Sequence, residues 1–134
     1  TPERLRRPEW LEHPNGVIGI DGVTIVVERA EDLVSDYRSL FGADAVETGH
    51  GRTDVRIGHH VLRFLSLDRF ARRYPGMEPA VELPCAAVLT LRCRDLLATR
   101  QALTDRGIRP VPAQGLRLVV APTAATGTIV EFSL

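Results

Sequence analysis

Two cysteines in 134 residues, one tryptophan, aromatics at only 5%, and a formal net charge of zero are the scarce features of this chain. Cys85 and Cys93 fall on one predicted strand, where eight residues span roughly 26 Å, far beyond the reach of a disulfide. They read as free thiols, which suits a reducing compartment and a cytoplasmic protein. The 17 basic and 17 acidic residues cancel, which removes any global electrostatic attraction to nucleic acid or an anionic membrane. The longest apolar runs, Val23 to Val27 and Val88 to Leu91, are far short of the roughly 20 residues of a membrane helix. Gly-x-Ser-x-Gly, Cys-x-x-Cys, His-Glu-x-x-His and the phosphate-loop pattern do not occur, so no common catalytic motif supplies an activity.

What is present is ordinary for a packed domain: 44% hydrophobic and 25% charged residues fit one globular unit. The organisation lies in a pattern that occurs twice. Val17 to Val27 is rich in β-branched residues and predicts a strand. Leu33, Val34, Tyr37, Leu40 and Phe41 then fall on a helical stripe over residues 30–41, closed by Gly42. Strands are expected over 43–48, 53–57 and 60–65, with turns at His50-Gly51 and Gly58-His59. A short helix over 68–74 and a Pro/Gly-rich stretch lead to the second copy. There a strand over 86–92 is followed by a helix over 96–106, with Asp95 as its N-cap and Gly107 as its stop. Strands over 110–113, 116–121 and 128–134 complete the set.

The fold class expected is therefore α+β, two βαβββ modules pairing into a curved mixed sheet, because neither copy is large enough to bury a core alone. The boundaries are an N-terminal arm over 1–16, anchored by Trp10, and a domain over 17–134. Within it the first module spans 17–66, a connecting segment 67–84, and the second module 85–134.

Several short motifs carry a family likeness. Asp21-Gly22-Val23-Thr24-Ile25-Val26-Val27, the helix end Tyr37-Arg38-Ser39-Leu40-Phe41-Gly42, Arg94-Asp95-Leu96, Arg106-Gly107-Ile108, and the run from Pro122 through Gly127 to Val130-Glu131-Phe132 resemble the vicinal oxygen chelate superfamily. That superfamily holds glyoxalase I, extradiol dioxygenases and bleomycin-binding resistance proteins. Arg7-Pro8-Glu9-Trp10 with His13-Pro14-Asn15-Gly16 resembles the junction midway along longer glyoxalase-like proteins. By that resemblance this chain corresponds to the C-terminal half of such a protein, in which case a first domain would be absent here, or to a trimmed relative of one.

The resemblance also implies where a metal would sit. Metal-dependent members place His, Gln or Glu on the first and last strands of each module, leaving open positions for two vicinal substrate oxygens. The matching slots here are Gly22, Arg63, Val88 and Glu131. Only Glu131 can ligate, since glycine and valine offer no donor and arginine is a fixed cation. No metal and no cofactor is expected. Arg63 and Glu131 are candidates for an ion pair in the metal's place, provided strand parity turns both inward; a slip of one residue would turn Arg63 out.

Thr24 and Arg92 share that parity, which makes Thr24, Arg63, Arg92 and Glu131 the candidate ligand-binding residues, in a cleft whose two cations favour an anionic small molecule. Arg92 at the rim, serving only solvation, is the plain alternative. His13, His50, His59 and His60 read as surface residues, and Cys93 as a small core residue.

Three functions remain open: a metal-independent small-molecule binding domain; a glyoxalase-like lyase, isomerase or dioxygenase; and a non-catalytic structural or dimerisation domain. The weight falls against an enzyme. The partners expected are a small molecule and, by the resemblance, a second copy in a homodimer.

Overall fold

The computed structural model describes residues 17–77, 82–111, 113, 115–121 and 128–134. The described residues group into two compact units, one holding residues 21–89 and the other residues 90–134 with the start of the first strand. The expected arm with Trp10, the Pro122–Gly127 loop and part of the connecting segment lie outside the described residues.

In the first unit, β1 (Val17–Val26) leads through a 3-10 turn (Ala30–Leu33) into α1 (Val34–Phe41). Then come β2 (Val46–Gly49), β3 (Arg52–Ile57), β4 (His60–Leu65) and α2 (Leu67–Arg73). The strands lie in the order β2-β3-β4-β1. The β2–β3 and β3–β4 pairs are antiparallel, whereas β1 runs parallel to β4. The sheet is therefore mixed, and the protein is α+β as expected.

Alternation decides the two faces of this unit. Val46, Val55 and Phe64 form a buried cluster with Ala30, against which Ile25, Leu33, Val34, Tyr37, Ile57 and Leu62 pack. Burying each such aliphatic or aromatic side chain contributes about 1.5–3 kcal/mol. Tyr37 tilts onto Phe64 with centroids 5.2 Å apart. The buried Thr53 hydroxyl donates to the Ala30 carbonyl at 2.7 Å, tying the helix start to β3.

Two details differ from the sequence pattern. Leu40 is 71% exposed, because the stripe through Leu33 and Tyr37 continues four residues on to Phe41, which stacks on Tyr37 at 6.2 Å. Residues 43–45 form a 3-10 turn, so β2 begins only at Val46. The turns at His50-Gly51 and Gly58-His59 are where the sequence puts them: Gly51 and Gly58 have φ of 71° and 63°, the left-handed region that glycine enters without strain.

The second unit holds the C-terminal part of β5 (Cys85–Cys93), α3 (Leu96–Asp105), β6 (Arg117–Val120) and β7 (Ile129–Ser133), with strand order β5-β7-β6. The Asp95 carboxylate caps α3, accepting from the Leu97 and Ala98 amides at 2.9 and 3.3 Å, and Gly107 ends it at φ 77°. Cys93, Leu103, Leu118, Val120, Phe132 and Val17 form the core cluster.

The strand expected over 110–113 is reduced to a single bridge, Val111 to Val119, with the Val111 amide donating at 2.8 Å. Pro110 and Pro112 flank it in the sequence, and neither has an N–H with which to extend a ladder.

Candidate functional site

The polar residues singled out in the sequence lie on sheet faces opposite the helices. In the first unit Thr24 and Arg63 are direct partners across the parallel β1–β4 pair, and Arg63 faces Asp54 across the β3–β4 hairpin. Cross-strand partners point the same way, so Thr24, Arg63 and Asp54 share one side, and the α1-packed residues Ile25, Phe64 and Val55 hold the other. Thr24 is buried.

Arg63 grips Asp54 with both prongs of its guanidinium: Nε donates to Oδ1 at 2.9 Å and Nη2 to Oδ2 at 3.3 Å. Arg52, two residues before Asp54 on the same pleat, donates from Nη1 to the same Oδ2 at 2.5 Å. Two guanidiniums thus meet on one carboxylate, in a cluster of three charged side chains. They are partly open, with 24%, 12% and 30% of the Arg52, Asp54 and Arg63 side chains accessible.

In the second unit, Glu131 on β7 accepts from Arg117 Nη1 at 2.6 Å on Oε1 and from the Thr90 hydroxyl at 2.9 Å on Oε2. This cluster is sealed, with side-chain accessibilities of 9% for Arg117 and 4% for Glu131. Arg92 lies two residues beyond Thr90 on β5, on the pleat side that Thr90 shares with Glu131, and is exposed.

The remaining slots are apolar or empty. Val88 is buried at 1% exposure and has no donor atom. At Gly22 a Cβ would stand 2.2 Å from the Val61 carbonyl oxygen, so any side chain there forces β1 and β4 apart. Among the described residues no group of three or more His, Cys, Asp or Glu is placed to hold a metal ion. His50, His59 and His60 are exposed, and His13 lies outside the described residues.

Asp54, Arg52, Arg117 and Thr90 were missed from the sequence. Asp54 was within reach: a two-residue turn at Gly58-His59 makes Ile57 face His60, and three steps outward Asp54 faces Arg63. Arg117 left no comparable signal, because the sequence separation between β6 and β7 is too long to set a register.

This element order and mixed sheet define the vicinal oxygen chelate fold, the fold anticipated from the motifs. Solved structures agree. The chain is similar to methylmalonyl-CoA epimerase from Mycobacterium tuberculosis, with TM-score 0.61 at 19% identity over 87% of each chain. It is similar to a methylmalonyl-CoA epimerase in complex with methylmalonyl-CoA and NH4+, with TM-score 0.62 at 16% identity over 87% of this chain and 93% of that one. A hypothetical protein from Bacillus halodurans matches with TM-score 0.56 at 17% identity over 84% of this chain and 91% of that one. At these identities the likeness is one of fold. No protein-family model matches the sequence, and no curated protein does either.

Proposed function

We propose that this chain is a metal-independent binding domain of the vicinal oxygen chelate fold, which takes a small anionic molecule on the polar sheet face and does not catalyse its conversion. The observation that carries the reading is the state of Glu131. It is the one carboxylate among the four metal slots, and both its oxygens already accept hydrogen bonds from Arg117 and Thr90. A catalytic divalent ion needs about three protein ligands besides an open position. Gly22, Arg63 and Val88 add a backbone with no room for a side chain, a cation and a methyl surface, so these residues do not fit a metal.

Of the residues expected at a ligand face we keep Thr24 and Arg63, in the first unit; Arg92 and Glu131 lie in the second, where Glu131 is sealed in its pair with Arg117. Arg63 supports an anion best, since Asp54 holds its guanidinium in one orientation while 30% of the side chain remains accessible. Structures of the same fold hold acyl-CoA molecules, methylmalonyl-CoA in one and 2-nitronate-propionyl-CoA in another, which supports an anionic small molecule as the ligand class. Those neighbours also favour the second reading, an enzyme acting on such a molecule. We further take the protein to be a cytoplasmic homodimer.

Native mass spectrometry of the untreated full chain, with elemental analysis, tests these points together. The expected result is a dimer that retains an anionic small molecule and no stoichiometric divalent ion. One tightly held divalent ion per chain would overturn the reading and restore the enzyme.

A further inference from the structure

The start of β1 is an apolar strand with one edge open. The strands bonded to β1 are β4 and β5, and β4 lies along it only from Gly22 onward, opposite Val61. Because β4 begins at His60, one edge of residues 18–20 has no strand beside it among the described residues. Ile18 and Ile20 are 41% and 55% exposed on one face of this stretch. On the other face, a Cβ built at Gly19 would meet nothing within 4 Å, so there is room beside the backbone. An exposed apolar edge of this kind is a template for a further strand.

The direction of the backbone groups selects the segment that fits. The Val27 amide donates to the Leu65 carbonyl at the end of β4 at 2.9 Å. Backbone groups alternate sides along a strand with period two, so the odd-numbered amides of β1, Gly19 among them, aim at the β4 edge. Immediately before Val17 stands Asn15-Gly16, a pair strongly favoured in two-residue hairpin turns. The residues flanking such a turn form a hydrogen-bonded pair, and on β1 that residue is Val17, again odd-numbered. A chain reversed at Asn15-Gly16 is therefore laid on the open edge and not on the edge that β5 holds.

We infer that the N-terminal arm turns back at Asn15-Gly16 and docks residues 11–14 as an antiparallel strand on residues 17–20 of β1. In that register Leu11 stands opposite Ile20 and His13 opposite Ile18, as the close pairs without backbone bonds between them. Facing residues point the same way, so both exposed isoleucines gain cover. Glu12 faces Gly19 and exchanges backbone hydrogen bonds with it. Trp10 falls on the other face, diagonal to Gly19, where its ring can lie over the space the glycine leaves. Pro14 has no N–H to give, but it ends an edge strand, where proline is tolerated. Docked in this way, the arm denies the edge to a strand of another chain.

The full-length chain is the material for the test. With the arm docked, the Gly19 amide should exchange with deuterium at least about tenfold more slowly in the wild type than in Gly16→Val. A β-branched residue cannot enter the positive-φ turn without strain. Leu11→Cys combined with Ile20→Cys should close an intrachain disulfide under mild oxidation, because Cα atoms in such a pair lie about 4.5 Å apart, within disulfide range. Trp10→Cys combined with Ile20→Cys, whose side chains leave opposite faces, should not.

Equal Gly19 exchange in the wild type and Gly16→Val would overturn the docking, as would a Leu11 and Ile20 double variant that stays reduced. A disulfide joining two chains instead of one would also overturn it, since the edge would then belong to the arm of a second copy.

Discussion

Arg117 with Glu131 and Arg52 with Asp54 and Arg63 are built from the same chemistry on comparable sheet faces, one in each unit, yet they are set for different work. The Arg117–Glu131 pair is almost wholly withdrawn from water and completed by Thr90. The Asp54 cluster keeps a quarter or so of each arginine exposed. A sealed pair is stabilised by its geometry and is costly to break from one side, since the surviving buried charge loses its counter-ion. A half-open cluster is worth less to the fold and remains available to a ligand.

The largest expected effect tests the sealed pair. Glu131→Gln leaves Arg117 with a neutral amide in a buried site and should cost about 3–5 kcal/mol of unfolding free energy, read from urea denaturation. Replacing both partners by apolar residues, Arg117→Met with Glu131→Leu, should recover most of that loss. If Glu131→Gln is nearly neutral, the pair is not the structural element described here and the contrast with Asp54 collapses.

Next is the slot at Gly22. Gly22→His restores the residue type that the resemblance implies at this position, but its Cβ meets the Val61 carbonyl oxygen. Overpacking of this kind costs about 1–3 kcal/mol. The variant should lose stability and gain no affinity for zinc or cobalt by calorimetry. A folded variant that binds either ion with one-to-one stoichiometry would show that the β1–β4 spacing is not what excludes a metal.

Legibility divides along the same line as the two clusters. Thr24, Arg63 and Glu131 could be assigned to faces from the sequence because pleat parity is local and period two. Asp95 and Gly107 could be placed because caps are local too. Asp54 needed one more step, a register fixed by a two-residue hairpin. Arg117 required β6 and β7 to be paired across a long sequence separation, which no local rule determines. The strand expected over 110–113 failed for a reason printed in the sequence, two prolines that cannot donate.

Asp54→Asn probes the open cluster and should have a smaller effect on the fold, about 1 kcal/mol or less, because both arginines can recover water. The loss should shrink as salt is added, since screening weakens exposed charges. A salt-insensitive loss as large as that of Glu131→Gln would mean that both clusters are structural.

The smallest effect concerns the two thiols, which again differ between the units. Both are buried, and burial raises the pKa of Cys85. The cause is desolvation, which penalises the thiolate. The sign follows from which state holds the proton. Above the ordinary thiol value of about 8.5 the unfolded chain gives up the Cys85 proton while the folded chain keeps it. Stability contributed by the neutral thiol is thus fully present below that value and declines as pH rises through the higher folded one. Urea midpoints measured from about pH 8 to about pH 10 should fall more steeply for the wild type than for Cys85→Ala. Cys93→Ala should lower the midpoint by opening the cluster it fills with Leu103 and Phe132. Equal slopes in the wild type and Cys85→Ala would show that Cys85 takes no part in the pH dependence.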